Sequence, residues 1–337
     1  MTPEEKVRLL HGPMPAILQP AKRPKDMTVG AGFILGVDRL GVPQLVESDA
    51  SLGVSNLMEM RKGDVATALP SGLSLASTWN PEIARAGGAM IGSEARAKGF
   101  NVMLVGGVNL VRDPRAGRNF EYLGENPLLA GQLVGSQIEG VQSNNIIATI
   151  KHFALNDQET GRNVASVEMD EAAMREGDLL AFQIGMEQGN PGSVMCAYNR
   201  VGGTSSCENP FLLNDVLRRD WGFRGFVMSD WGAVHSTEAI LAGLDQQSGE
   251  QLDGKETRAV YGLQAGTKPF YIHYPEGSDA GYRWFGRLVN SSVPTELLVV
   301  PGAFHGFQIF VPKAAVSRQF VAALDATLAR GLSEKRQ

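Results

Sequence analysis

The stretch SVMCAYNRVGGTSSCENPFLLNDVLRRDWGFRGFVMSDW, residues 193–231, holds one full unit of the fold. Ser193–Tyr198 and Phe226–Ser229 are short apolar or β-branched runs, as expected of parallel strands buried on both faces. Between them, Asn209-Pro210 places a capping residue before a proline at the first helical position, which predicts a helix start. Strand, helix and strand in that order predict a parallel pair joined by a covering helix.

The same grammar extends upstream. Gln44–Glu47, Val102–Val105 and Ala148–Phe153 read as strands. Asn80-Pro81 opens a helix toward Lys98, closed by Gly99. Asn126-Pro127 opens another, with Leu129, Leu133, Ile138 and Val141 near helical spacing. Thr2 to Glu5 reads as a capping box for a helix through Leu10. This alternation fills roughly the first 250 residues, a typical size for a (β/α)8 barrel. An open doubly wound sheet is the alternative, but no G-x-G-x-x-G fingerprint supports it. The expected fold class is therefore α/β, a TIM-like (β/α)8 barrel over residues 1–253 with a short non-barrel appendage over 254–337. In that appendage the alternation stops; a strand at Glu296–Val300 and a helix from Ala314 to Ala329 are expected.

Composition narrows the function. A formal net charge of −5, with no long basic run, argues against nucleic acid and acidic membranes as partners. No apolar run approaches the roughly 18 residues of a membrane helix. The charged start MTPEEKVRLLHG has no apolar signal core, so the sequence as written reads as cytoplasmic; a removed signal would leave the same picture. Cys196 and Cys207 read most simply as unpaired core thiols, with a short-loop disulfide as the alternative in an exported protein. No CxxC or HExxH spacing occurs, and neither metal nor cofactor is expected.

In a parallel barrel the chemistry collects at the C-terminal ends of the strands. Four polar clusters fall there: Asp49, Arg118 with Glu121, Lys151-His152, and Asp230-Trp231. Each has a plain structural reading, as a turn residue, a solvated strand end, a satisfied loop carboxylate or core packing. Together they make the acidic, basic and aromatic set that a sugar site needs. Charged groups bond hydroxyls, and an indole offers an apolar face to a sugar ring.

Several long motifs then point to one family. VMSDWGAVHST at 227–237 resembles the nucleophile motif of family 3 glycoside hydrolases. RDPRAGRNFEYLGENP at 112–127 resembles that family's Arg-bearing loop, and IKHFALNDQETGRN at 150–163 its Lys-His motif. The likeness runs from about Thr2 to Asp253, and the motifs keep the family's order. The resemblance implies a retaining enzyme of β-glucosidase type. Asp230 would be the nucleophile; Asp49, Arg118, Lys151 and His152 would hold sugar hydroxyls; Trp231 and Tyr198 would shape the pocket; Glu121 would orient Arg118 or Lys151. Asp49-Ala50-Ser51-Leu52-Gly53 departs from the Gly-Pro that follows this Asp in many members, which puts the loop shape in question. Lys151-His152 lacks the Pro-Gly-His continuation associated with the N-acetylglucosaminidase branch, which favours glucose.

A retaining mechanism needs two carboxyl groups about 5–5.5 Å apart. In related enzymes the acid comes from a second domain, for which this chain has no room. Glu276, Glu159 or a partner chain are the alternatives, and the barrel face left bare leaves a homodimer open. Without an acid, the expected reading is a sugar-binding or crippled barrel. PTELLVVPGAFHGFQIF at 294–310 resembles the last strand and histidine loop of an α/β-hydrolase esterase, with His305 at the triad position. No G-x-S-x-G elbow accompanies it, so an esterase is the least favoured reading.

Overall fold

The computed structural model describes residues 1, 5–6, 9–14, 28–56 and 59–249. The expected helix at 2–10 falls mostly outside them, and the appendage, Glu276 and His305 fall outside altogether. Five strands run parallel in spatial order: β3 (Leu45–Asp49), β4 (Val102–Leu104), β5 (Ile147–Phe153), β7 (Ser193–Cys196) and β10 (Phe226–Ser229). The strand readings at 102–105, 148–153, 193–198 and 226–229 are met within two residues at each end. Val102, Leu104, Ile150, Val194, Val227 and Met228 are all fully buried, which is why these runs carry no polar face.

A sixth strand, β2 (Gly32–Ile34), runs antiparallel to β3, with Gly32 opposite Glu47. The reason is the link between them. Residues 35–44 are too few for a crossover helix, which takes a dozen or more. They make a turn instead, with Val37 bridged to Val42 and Gly41 at φ 67°. The all-parallel expectation is corrected at this edge. A separate parallel pair, β1 (His11–Pro13) with β11 (Gln247–Gly249), continues from β10 through the Met228–Gln246 bridge. The sheet curls, so that Trp231 beyond β10 donates its indole N–H to the Ala31 carbonyl before β2 at 3.1 Å. Gln246 also donates to Glu47 on β3 at 3.0 Å, across 199 positions of sequence. A third small sheet joins β6 (Ser166–Val167), β8 (Arg200–Val201) and β9 (Thr204–Ser205).

Helices cover the outer face. The short α1 (Gly72–Ala76) is capped by Ser71. In α2 (Pro81–Ala97) and α3 (Pro127–Gln142) the expected Asn caps are in place, Asn80 accepting from Glu82 and Ile83 and Asn126 from Leu129. The α3 helix packs against both α2 and α5 (Asp178–Gly189), which follows the one-turn-and-a-half α4 (Glu171–Glu176). Contact with α2 is backbone to backbone: a Cβ on Gly88 would strike the Gln137 carbonyl, and one on Gly140 the Arg85 carbonyl. Asn209 opens the third helix as read, accepting from Phe211 and Leu212. That helix, Phe211–Asp220, is wound as a π-helix and buries Leu212, Leu213, Val216 and Leu217. No described helix is long and apolar enough to cross a membrane.

The thiol reading is also corrected. Cys196 and Cys207 form a disulfide with their Cα atoms 5.1 Å apart. The end of β7 and the turn Ser206–Glu208 are brought back on each other by β8 and β9, a contact that linear spacing does not reveal.

Candidate active site

Strand register brings the expected residues to one layer. Asp49 ends β3 opposite Leu104; Lys151 on β5 lies opposite Met195; Asp230 directly follows Ser229, which lies opposite Cys196. The Asp230 amide donates to the Cys196 carbonyl at 3.1 Å, so the parallel ladder itself sets where this carboxylate begins. Beyond β4, residues 105–124 bring Arg118 and Glu121 over the same layer. The β5 backbone is clamped to that loop, Lys151 donating to the Gly106 carbonyl and accepting from Val108. The Lys151-His152 and Phe153-Ala154 peptide bonds are cis.

Glu121 is the hub. Its Oε1 accepts from Arg118 Nε at 2.6 Å; its Oε2 accepts from Ser51 Oγ at 2.9 Å and lies 3.4 Å from Lys151 Nζ. Burial alone would raise the Glu121 pKa, but Arg118 and Lys151 outweigh it and hold the carboxyl well below its usual range. Glu121 therefore orients both basic residues at once. Burial likewise opposes the charge on Arg118, yet Glu121 and Asp230 lift its pKa well above the ordinary guanidinium value. Lys151 also approaches Asp49 Oδ1 at 3.6 Å. Lys151 is 3% exposed and Asp49 40%, so the lysine forms the floor and the aspartate opens to solvent. Crowding by protein still raises the Asp49 pKa; Lys151 opposes the rise, while Glu121 and Asp230 add to it.

His152 is held neutral. Burial, then Arg118 and Lys151, push its pKa well below the usual histidine value. Arg118 Nη2 lies 2.7 Å from His152 Nε2. A guanidinium only donates, so Nε2 must accept and the ring proton sits on Nδ1, 3.1 Å from the Tyr122 hydroxyl. The 3.7 Å approach of His152 Nε2 to Asp230 Oδ2 is consequently not an ion pair.

Asp230 differs from Glu121. Its Oδ1 accepts from the Trp231 amide at 2.8 Å, but its buried Oδ2 makes no hydrogen bond. Arg118 Nη1, 3.6 Å from that oxygen, is likewise a buried donor with no acceptor. Trp231 is fixed by its indole bond to Ala31, and the Tyr198 hydroxyl donates to the Trp231 carbonyl at 2.9 Å. Burial and the Asp230 charge raise the Tyr198 pKa well above the ordinary phenol value.

All seven expected residues, Asp49, Arg118, Lys151, His152, Tyr198, Asp230 and Trp231, thus belong to one connected cluster, with Glu121 at its centre. Arg162 is a residue that the sequence reading left unassigned. Its guanidinium lies 4.0 Å from the centre of the Tyr198 ring and donates to Glu159 at 2.8 Å. The Glu159–Arg162 spacing inside the Lys-His motif is the signal that could have found it. Glu159, a candidate acid on sequence grounds, is thereby engaged as the counter-charge of a buried arginine. Among the described residues no cluster of three or more His, Cys, Asp or Glu could hold a metal ion.

The sequence pattern described as the glycosyl hydrolase family 3 N terminal domain matches residues 17–268. A β-glucosidase of Bacteroides ovatus, BoGH3A, is 41% identical over 235 residues, 67% of this chain and 32% of that protein. An exo-α-(1→6)-L-arabinopyranosidase of Bifidobacterium longum is 39% identical over 223 residues, 64% of this chain and 30% of that protein. The structure of β-glucosidase 3B from Thermotoga neapolitana with α-D-glucose matches with a TM-score of 0.71 at 35% identity, over 87% of this chain and 39% of that one. The chain spans about a third of the length of these relatives.

Proposed function

The chain belongs to glycosyl hydrolase family 3, and from that premise we propose that it is a retaining glycosidase that cleaves terminal β-linked glucose from β-glucosides or short β-glucans. The carrying observation is the pair of unsatisfied buried atoms, Asp230 Oδ2 and Arg118 Nη1, facing each other 3.6 Å apart. A buried polar atom without a partner is costly, and such a pair stays in place where a ligand completes it. A sugar hydroxyl, both donor and acceptor, satisfies both atoms. Lys151 and Asp49 then reach the neighbouring hydroxyls, His152 holds Arg118 in place, and Trp231 and Tyr198 close the pocket.

In this reading Asp230 Oδ2 attacks the anomeric carbon. The bond to the leaving oxygen breaks with its electron pair, and a glycosyl ester forms on Asp230. Water then attacks the same carbon, returning the carboxylate and releasing the sugar with its configuration retained. Glu121 is saturated by Arg118, Ser51 and Lys151, and Glu159 is engaged with Arg162. Glu276, outside the described residues, or a partner chain can supply the acid. Full activity on poor leaving groups depends on that source. The second reading, a barrel that binds sugar without turning it over, rests on the same engagement of Glu121 and Glu159.

We read the curled sheet as part of a (β/α)8 barrel. The boundary at 253–254 is drawn from the end of the strand–helix alternation, although the family match runs on to residue 268. The tail is read as esterase-like on the segment PTELLVVPGAFHGFQIF, without an esterase activity. The buried disulfide favours an oxidising compartment over the cytoplasm. Because the Bifidobacterium relative is an arabinopyranosidase, assay decides between glucose and arabinose.

The test is hydrolysis of an aryl β-glucoside and of cellobiose by wild type and by Asp230→Asn. An aryl glucoside carries a good leaving group and needs little acid assistance. The account expects aryl hydrolysis that disappears in the variant, with cellobiose cleaved only if an acid is supplied. Unchanged hydrolysis by Asp230→Asn would overturn it.

A further inference from the structure

Glu47 takes no part in the cluster above, yet it lies directly beneath it. It sits two residues before Asp49 on β3, and alternation along a strand puts both side chains on the same face. Asp49 reaches solvent, whereas Glu47 is fully buried. Three elements meet around it and its partner Gln246. From β11's approach, Gln246 donates to Glu47 Oε1 at 3.0 Å and also lies 3.3 Å from Ser248 Oγ. From β2, Gly32 admits the carboxyl only because it has no side chain: a Cβ there would collide with Glu47 Oε2. The same Cβ would sit 3.4 Å from the Trp231 ring, so Glu47 and the indole share the Gly32 surface. From β1, Gly12 faces the Gln246 amide.

The second carboxyl oxygen, Oε2, has no hydrogen-bond partner, and no cation pairs with Glu47 among the described residues. The titratable groups on the surrounding elements are Asp49 on its own strand and His11 beside Gly12 on β1. Asp49 is the charge that bears on it, and that charge is of like sign. An ionised carboxylate in this position would be buried, unpaired and next to a second anion. A protonated one keeps the Gln246 bond, removes the buried charge and leaves Asp49 as the one negative charge on β3.

Resting on the glycosidase reading, we infer that Glu47 is a positioning residue: as a neutral acid it fastens β3 to β11 and so fixes Asp49 and Trp231 across the sugar site. Desolvation raises its pKa from 4.5 to about 7, with the Gln246 bond working against the rise and Asp49 adding to it. The seam is therefore intact in mildly acid solution and is charged as the pH passes through about 7. Charging it moves the residues that hold the sugar, not the attacking carboxylate. The effect falls on KM more than on kcat.

The test compares wild type, Glu47→Gln and Glu47→Ala on an aryl β-glucoside from pH 5 to pH 9. Glutamine keeps the carbonyl acceptor for Gln246 and cannot ionise. The expected result is a wild-type KM that climbs about tenfold between pH 6 and pH 8.5, a Gln variant whose KM stays flat, and an Ala variant with a raised KM at every pH. A Gln variant that follows the wild-type profile would overturn the assignment. Denaturant unfolding across the same range separates this inference from the glycosidase reading, because it needs no turnover. At Glu47 the folded state binds one proton more than the unfolded chain between about pH 4.5 and 7, so the contribution of this group to stability falls over that window. Asp157, raised to about 8, contributes a fall of its own, so Glu47→Gln is expected to show a shallower slope than the wild type by the Glu47 contribution. A chain inactive on the glucoside but showing this difference loses the catalytic reading and keeps the neutral Glu47; equal slopes in the two proteins overturn the neutral Glu47 whether or not hydrolysis is seen.

Discussion

The β4–β5 side of the site and the β10 side are built by opposite rules. On the first, Glu121 accepts from Arg118 and Ser51 and lies within 3.4 Å of Lys151. His152 has both ring nitrogens engaged, by Arg118 and by Tyr122. On the second, Asp230 spends one oxygen on the Trp231 amide and leaves the other bare. Apart from Arg118 Nη1, the first side is saturated and holds its groups still. The unsaturated side keeps an oxygen for something else to meet. Buried charge that is fully compensated is architecture, and the uncompensated atom beside it is where chemistry is to be sought.

Exchanging the rules between the two sides should break this contrast. The largest effect belongs to Asp230→Asn, which removes the nucleophile but not a structural hub. Aryl glucoside turnover should fall by at least about 10³-fold, with unfolding free energy changed by about 1 kcal/mol or less. A matching loss of stability would mean that Asp230 is also architecture. Glu121→Gln should behave in reverse, leaving two buried cations short of their counter-charge and costing about 3–5 kcal/mol of stability. Denaturant unfolding checks this, and a fully stable Gln variant would remove Glu121 from the centre of the site. Reducing the Cys196–Cys207 bond, which closes an 11-residue separation, should cost about 2–3 kcal/mol. Because the Cys196 carbonyl holds the Asp230 amide, turnover should fall with it, which thermal unfolding and activity measured with and without reductant would show. Arg162→Lys should be the mildest change. It keeps the charge opposite Glu159 but loses the planar stack on Tyr198, about 1 kcal/mol, read as a several-fold rise in KM.

What the sequence disclosed followed the range of the forces involved. Asn80-Pro81 and Asn126-Pro127 act within one turn, and both helices start where they predict. The apolar strands at 147–153 and 226–229 carry their own burial pattern. By contrast, β1 and β11 read HGP and QSG. Neither is a strand by composition; each becomes one because the curled sheet offers it a partner. The disulfide and the antiparallel β2 depend instead on chain reversals over about ten residues, which strand and helix patterns do not announce. In the site, Asp230, Lys151 and His152 stood at strand ends and were legible. Arg162 sits in a loop, where its contact with Tyr198 has no local signature. Glu47 was hidden for another reason: a glutamate in a strand is ordinarily read as a solvent-facing residue, and only the three-dimensional surroundings show that it is fully buried.

The claim on which the rest depends is that Asp230 Oδ2 is the atom that bonds to the sugar. It is tested most directly by trapping the ester with an activated 2-deoxy-2-fluoro-β-glucoside and locating the added mass by peptide sequencing. The account predicts one sugar per chain, on Asp230, with no adduct in Asp230→Asn. An adduct on Glu121, Asp49 or another carboxylate, or turnover of the aryl glucoside with no adduct at all, would contradict it.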